Sequence, residues 1–322
     1  MSAALPSPML SVQRRSRSAI AWGAAAVVFA LLPLAIGESY VFLTVDFFIM
    51  SLFAMSYNLL LGQAGMLSFG HATYYGLGAY AVAILQNKYG VPPWLGLAAA
   101  PVVAALGALA IGWLSVRVTG MYFAMLTLAF GQLVFTLVLG WYSFTGGDDG
   151  LPVALPDWML SARNYYYFSL VIVALCIWLI YRVTQSPFGM ALRSIRDNRQ
   201  RAAYIGLNVR RLELQVFMVA GAFAGVAGGL RAPLQQMAFP SLLGWAQSAD
   251  PVLMALAGGI NTFVGPIVGA AVFVFTNFAV TSRFEYPLMV FGTLVLLIVL
   301  FLPNGIVGTL ARRVRKPQAT SR

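Results

Sequence analysis

Long apolar runs, separated by short polar, glycine-rich or basic stretches, set the pattern of this chain. Runs at 19–37, 40–61, 94–115, 119–141, 166–183, 213–231, 264–281 and 287–302 approach the roughly 20 residues that a regular helix needs to cross a bilayer. The run at 40–61 passes directly into GQAGMLSFGHATYYGLGAYAVAIL at 62–85, where glycine and short polar side chains interrupt it. The run at 19–37 is longer than the apolar core of about 7–15 residues in a signal peptide. It reads as a retained first transmembrane helix. The pattern predicts an all-α polytopic integral membrane protein of about eight to ten transmembrane segments, some short or broken. Both termini are expected to be cytoplasmic: a basic tail at 1–18, a single membrane domain at 19–310 and a second basic tail at 311–322.

Charge supports that orientation. Hydrophobic residues make up 60% of the chain and charged residues 9%, against about 25% charged in soluble proteins. The net charge of +11 is concentrated between and beyond the apolar runs, as the positive-inside rule describes. Placing Arg14–Arg17, Arg117, Arg182–Arg211 and the C-terminal cluster inside puts 16 of the 20 basic residues on one side. The stretch 142–165, with three aspartates, one arginine and many turn residues, suits the other side. If 213–231 then crosses outward, a C-terminus inside requires an odd number of crossings after 232. Only two long runs remain, so the third is assigned to ADPVLMALAGGIN at 249–261, a half-helix too short to span alone. Broken segments of that kind persist where protein or a water-filled cavity satisfies the freed backbone groups.

Gly221, Gly225 and Gly229 recur at four-residue spacing, a small-residue face for close helix packing. Two glycine-rich breaks, at 62–80 and 257–273, occupy comparable places in the two halves, and paired broken segments point to a translocation pathway. Asn58, Gln63, Ser68, His71 and Thr73 surround the first break. Thr127 and Gln132 lie within 119–141, and Asn261 and Thr262 mark the second break. We take Asn58, Gln63, Ser68, His71, Thr127, Gln132 and Asn261 as pathway candidates, each with a structural alternative as a cap or interhelical hydrogen bond. Neutral polar groups beside half-helix ends suit a small zwitterion, whose carboxylate favours helix N-termini.

The longest charged segment is the loop at 184–212, TQSPFGMALRSIRDNRQRAAYIGLNVRRLE. Ser186 followed by Pro187 reads as an N-cap with proline at the first helical position. Phe188, Leu192 and Ile195 form one apolar stripe. Arg193 and Arg196 lie on another face, and Arg193 has the spacing to pair with Asp197. Gly206 is a stop signal. The loop is either a solvated basic insert or a docking element for a partner protein, with Arg193 and Arg196 expected to face that partner.

Several chemistries find no residues. Lys88 and Lys316, the only lysines, lie outside any P-loop pattern. Cys176 and His71 are single, so no cysteine or histidine metal cluster can form. Glu38, Asp46, Glu213, Asp250 and Glu285 fall near the ends of apolar runs, with Asp46 the deepest. Ion-coupled carriers place such residues within the bilayer, so a proton-driven carrier is disfavoured. No paired carboxylates or nucleophile–base set suggests an enzyme.

Six ordered motifs carry a family resemblance: YNLLLGQAGMLSFGHATYYGLGAY at 57–80, GMYFAMLTLAFGQ at 120–132, TGGDDGL at 145–151, SPFGMALRSIRDN at 186–198, AGGINTFVGPIVGAA at 257–271 and LFLPNGIVG at 300–308. From about residue 40 to 308 the chain resembles a permease subunit of the branched-chain amino acid class of bacterial ABC importers. That class also includes urea, short-chain amide and aromatic acid systems. The resemblance implies a permease in the bacterial inner membrane that binds no cofactor itself, with ATP and magnesium on two cytoplasmic ATPase subunits. It also implies a second permease, related or identical, and a periplasmic solute-binding protein. It makes 184–212 the ATPase-coupling loop, carried by Phe188, Gly189, Leu192, Arg193, Ile195, Arg196, Asp197, Ala202, Ala203 and Gly206. Ala202, Ala203 and Gly206 fit the family's Ala-Ala-x-x-Gly signature. Arg201 and Gln132 stand where glutamate is common. Branched-chain amino acids are the first substrate choice; a stand-alone secondary transporter is the rival architecture.

Overall fold

A computed structural model describes residues 29–33, 37–283, 286–302 and 304–314. The tail at 1–18, most of the run at 19–37, and residues 315–322 lie outside the described residues; 29–33 are helical. The helices are α1 (Glu38–Asn58), α2 (His71–Tyr89), α3 (Pro93–Ser115), α4 (Met121–Gly140), α5 (Ala162–Gln185), α6 (Pro187–Asp197) and α7 (Arg199–Tyr204). They continue with α8 (Val209–Gln235), α9 (Trp245–Gly258), α10 (Gly265–Thr281), α11 (Pro287–Phe301) and α12 (Gly305–Val314). Among the described residues, five helical spans are long and apolar enough to cross a membrane: Tyr40–Ala64, Pro93–Ser115, Met121–Gly140, Ala162–Gln185 and Val209–Gln235.

The centre is α8 packed against α2 and α3, with α1 behind. Within lipid the tails are as apolar as leucine, so close van der Waals packing takes over from the hydrophobic effect. The glycine face of α8 meets an equally small face on α3, where Ala100, Ala104 and Ala108 are fully buried. A Cβ placed on Gly221 would lie 2.6 Å from the Ala108 Cβ, and one on Gly225 would lie 2.8 Å from the Ala100 carbonyl. The four-residue glycine spacing therefore measures a real close approach.

One end of the bundle is closed by the 141–161 segment. Its strand β1 (Leu151–Pro152) pairs antiparallel with β2 (Met237–Ala238), Leu151 opposite Ala238. The end of α2 holds this cap. Gln86 donates to the Ala154 carbonyl at 2.6 Å and accepts from the Ala154 N–H at 3.1 Å. Asn87 donates to the Pro152 carbonyl at 2.7 Å. The opposite end carries the basic loop. The first described helical stretch is tied in by the Tyr166 hydroxyl, which donates to the Phe29 carbonyl at 2.6 Å.

The short crossing expected at 249–261 is longer and only partly helical. After β2 the chain turns inward through a 3-10 turn at Pro240–Leu243, and Leu243 abuts Gly76. Helix α9 has 14 residues, about 21 Å at 1.5 Å per residue, and ends where Ile260 abuts Gly62 near the basic end. Residues 239–258 thus run from the capped end to the basic end. Their irregular half is enclosed by α2 and α4, the condition for non-helical backbone at membrane depth.

Candidate functional site

The two breaks come together. Helix α1 winds into a π-helix at Leu59–Ala64, a distortion often found at functional sites. Gly65 then turns the chain with a φ of 70°, and residues 65–70 are non-helical up to α2. A Cβ on Gly62 would lie 2.6 Å from the Ile260 carbonyl, so the first break presses on the second. Tyr57, Val252 and Ala255 form a small apolar cluster there, flanked by Leu61, Leu67, Phe69 and Ile260.

Of the predicted polar residues around the first break, Asn58, Ser68, His71, Thr73 and Thr127 are buried and Gln63 is half-buried. The Thr127 hydroxyl donates to the Ala124 carbonyl at 2.9 Å and accepts from the Phe69 N–H at 3.2 Å, clamping the break to α4. The Ser56 hydroxyl donates to the Phe53 carbonyl at 2.7 Å and lies 2.9 Å from His71 Nε2. Its single proton goes to the carbonyl, so it accepts from Nε2–H and leaves His71 Nδ1 as an acceptor. His71 is fully buried among Phe53, Tyr57 and Tyr74. His71 Nδ1, Asn58 Oδ1, Ser68 Oγ and Thr73 Oγ1 have no partner among the described residues. Gln132 and Asn261 stand apart from this set on exposed faces. Sequence reasoning missed Ser248, which accepts from the Ala72 N–H at 3.0 Å and ties α9 to the start of α2.

The basic loop is mounted on the same break. Ser186 caps α6, accepting from the Gly189 N–H at 3.4 Å, with Pro187 in the first turn. Leu192 and Ile195 are buried and Phe188 is half-buried. Gly189 lies against the Thr184 backbone, where a Cβ would meet the carbonyl carbon at 2.7 Å. The helix read from Pro187 toward the Gly206 stop is divided in two. Asn198 is extended, at φ −160°, and its side chain accepts from the Arg201 N–H at 2.9 Å to start α7. Ala202 is buried beside Ile195 and Val209, Ala203 is exposed, and Gly206 ends the loop with φ 90°.

The arginines differ from expectation. Arg193 does not pair with Asp197; it donates to Gln63 Oε1 at 3.1 Å and to the Thr184 carbonyl at 2.9 Å. Arg196 donates to the Gly62 carbonyl, and Asp197 has only a 3.6 Å contact with the Arg196 guanidinium. The π-helix explains the choice, because its end offers an unpaired carbonyl and an amide within reach. Arg199 adds a 2.8 Å ion pair with Glu213 on α8. These three arginines fasten the loop to its own chain. The exposed surface of the loop includes Arg196 together with Met190, Arg201, Tyr204 and Ile205; the Arg201 side chain makes no ion pair among the described residues. A cavity of about 380 Å³ lies between Arg196, the first break and the 118–121 turn.

The acidic residues also depart from expectation. The apolar pattern ends at Arg231, but α8 continues to Gln235, so Arg231 lies inside the helix. It is ion-paired with Asp46 of α1, and Asp250 of α9 is within electrostatic reach of both. Asp46, the deepest of the supposed end-of-run carboxylates, therefore has a basic partner on a neighbouring helix. An arginine about one turn from a helix end carries no pattern signal of its own; only its partner reveals it.

Comparison with known proteins agrees with the architecture. Residues 39–302 match the family described as branched-chain amino acid transport system / permease component. The chain is 28% identical over 277 residues to the high-affinity branched-chain amino acid transport system permease protein LivM of Escherichia coli K12. That alignment covers 77% of this chain and 65% of LivM. It is 26% identical over 285 residues to LivH of Salmonella typhimurium, covering 80% of this chain and 91% of LivH. A probable LivH of Methanocaldococcus jannaschii is 26% identical over 283 residues, covering 79% and 87%. The chain thus spans under two thirds of the length of LivM from Escherichia coli K12 and Salmonella typhimurium. No solved structure matches it. With the family match running across nearly all of the described helical bundle, this chain belongs to the branched-chain amino acid transport permease family.

Proposed function

We propose that this chain is the membrane-spanning permease subunit of an ATP-driven importer of branched-chain amino acids. It forms the path with a second permease, in the inner membrane, and receives substrate from a periplasmic binding protein. Two ATPase subunits carry ATP and magnesium and dock on the 184–212 loop. The observation that carries this reading is the mounting of α6. A capped amphipathic helix is fastened by Arg193 and Arg196 to Gln63 and Gly62, at the break that abuts the second break. A push on α6 from outside the membrane is thereby delivered to both interrupted segments. The pathway candidates near them are Asn58, Gln63, Ser68, His71 and Thr127; Gln132 and Asn261 are candidates on surfaces open to a second subunit or to the path.

The test is leucine uptake in proteoliposomes, with and without ATPase and binding-protein subunits. Strict dependence on both, and on ATP, supports the reading. Uptake by the permease alone would replace it with a secondary transporter.

A further inference from the structure

The cavity beside the basic loop has no part in mounting α6. Its volume is about 380 Å³, many times the roughly 30 Å³ share of one water molecule. Residues 64–67 of the first break, the turn at 118–121, Arg196, Arg199 and Glu213 line it. Arg199 pairs with Glu213 at 2.8 Å; the carboxylate side chain is 8% exposed, against 33% for Arg199 and 31% for Arg196. The guanidiniums are therefore the accessible charges, and the lining carries one net positive charge. Asp197 touches Arg196 at 3.6 Å but does not line the cavity. Each guanidinium uses one donor within the protein, Arg196 on the Gly62 carbonyl and Arg199 on Glu213. Five N–H donors are present on each, so most remain for an occupant. Guanidinium forks match the paired oxygens of a phosphate.

The surroundings fit a lipid. Arg117 stacks on Trp113 at 4.2 Å and Arg182 lies over Trp178 at 5.4 Å, at the same ends of α3 and α5 that flank the loop and the turn. Both tryptophans are exposed, and exposed tryptophan is typical of the headgroup layer. Met121 lines the cavity. Met121, Met125 and Leu128 then recur at i, i+4, i+7 along α4, all three exposed. A basic pocket at headgroup level thus continues into an apolar stripe. The start of α4 adds to the positive field: it has no side-chain cap, and the first amides of a helix have no partner within it.

We propose that this cavity binds the phosphate of an acidic phospholipid, held by Arg196 and Arg199, with the acyl chains along Met121, Met125 and Leu128. A free phosphate offers the same oxygens without the chains, so the two sources are separable.

The purified full chain in neutral detergent is titrated with phosphatidylglycerol, phosphatidylcholine and inorganic phosphate, and bound lipid is counted by native mass spectrometry. One phosphatidylglycerol is expected to bind about tenfold or more tighter than phosphatidylcholine, whose choline cancels the phosphate charge. Inorganic phosphate is expected not to displace it. Arg199→Gln is expected to weaken binding about tenfold or more, as loss of a hydrogen bond to a charged group does. Thr119 lines the cavity, is exposed, and its side chain makes no hydrogen bond among the described residues. Thr119→Glu therefore adds a repelling charge without touching the mount, and is expected to abolish binding that Thr119→Gln retains. Arg201→Gln removes a charge outside the cavity and is expected to leave binding intact. Equal binding of the two lipids, no bound lipid (as when a second chain covers α4), or binding unchanged by Thr119→Glu would overturn the site. Displacement by inorganic phosphate at equal concentration would overturn the lipid and leave a soluble phosphate as the occupant. If Arg199→Gln does not fold, the Thr119 pair still decides.

Discussion

Removing the Arg231 charge tests the ion pair between α1 and α8. Asp46 is paired with Arg231 and is partly exposed. Arg231→Met fills similar volume and leaves the Asp46 carboxylate without its partner. Removing one partner of a buried pair costs about 3–5 kcal/mol; with Asp46 partly exposed, the lower end, about 3 kcal/mol, applies. Adding Asp46→Asn removes the orphaned carboxylate, so the double variant is expected to recover most of the loss. Thermal unfolding of the three proteins in one detergent gives the order directly. An Arg231→Met midpoint equal to the unaltered chain refutes the cost. A double variant no better than the single would show that Arg231 matters through packing rather than charge.

Other perturbations probe the packing and the loop. Gly225→Val drives a side chain into Ala104 and the Ala100 carbonyl; overpacking of that kind costs about 1–3 kcal/mol or more, read as a lowered unfolding midpoint. Arg193→Ala and Arg196→Ala each remove charged hydrogen bonds worth about 1.5–3 kcal/mol. Trypsin cleavage at Arg201, Arg210 and Arg211 is expected to accelerate, and unchanged cleavage would mean that these arginines do not hold the loop. Tyr204→Ser with Ile205→Ser changes residues that are 89% and 70% exposed. Stability is expected to stay within about 0.5 kcal/mol, while co-purification of ATPase subunits falls; undiminished co-purification would move the docking surface elsewhere.

Much of the architecture was legible. Ser186 and Pro187 mark the start of α6 because capping is decided by a few adjacent residues. The stripe of Leu192 and Ile195 and the glycine face of α8 follow from helical periodicity, which is a property of the chain alone. The breaks were visible for the same reason, since glycine and short polar residues weaken a helix wherever they fall. The candidate site was read less well. Asn58, Ser68, His71 and Thr127 gather at the first break, but Gln132 and Asn261 do not join them. Polar residue type signals that a partner is needed and says nothing about which one is near. Ser248 escaped notice, and the partner of Glu213 was not foreseen, because Ala72 and Arg199 are contributed by other elements.

The sequence by itself determined that this is a polytopic helical membrane protein with interrupted segments and one capped, arginine-rich loop. Those features depend on composition, local propensity and spacing, each expressed within about twenty neighbouring residues. Only the tertiary structure decided that the two breaks touch, that Arg193 and Arg196 reach Gln63 and Gly62, and that Asp46 pairs with Arg231. A long arginine side chain can pair along its own helix or across to another. The unpaired carbonyl at the π-helix end and the carboxylate on α1 win because they lie where hydration is scarce and an unmet charge or dipole costs most.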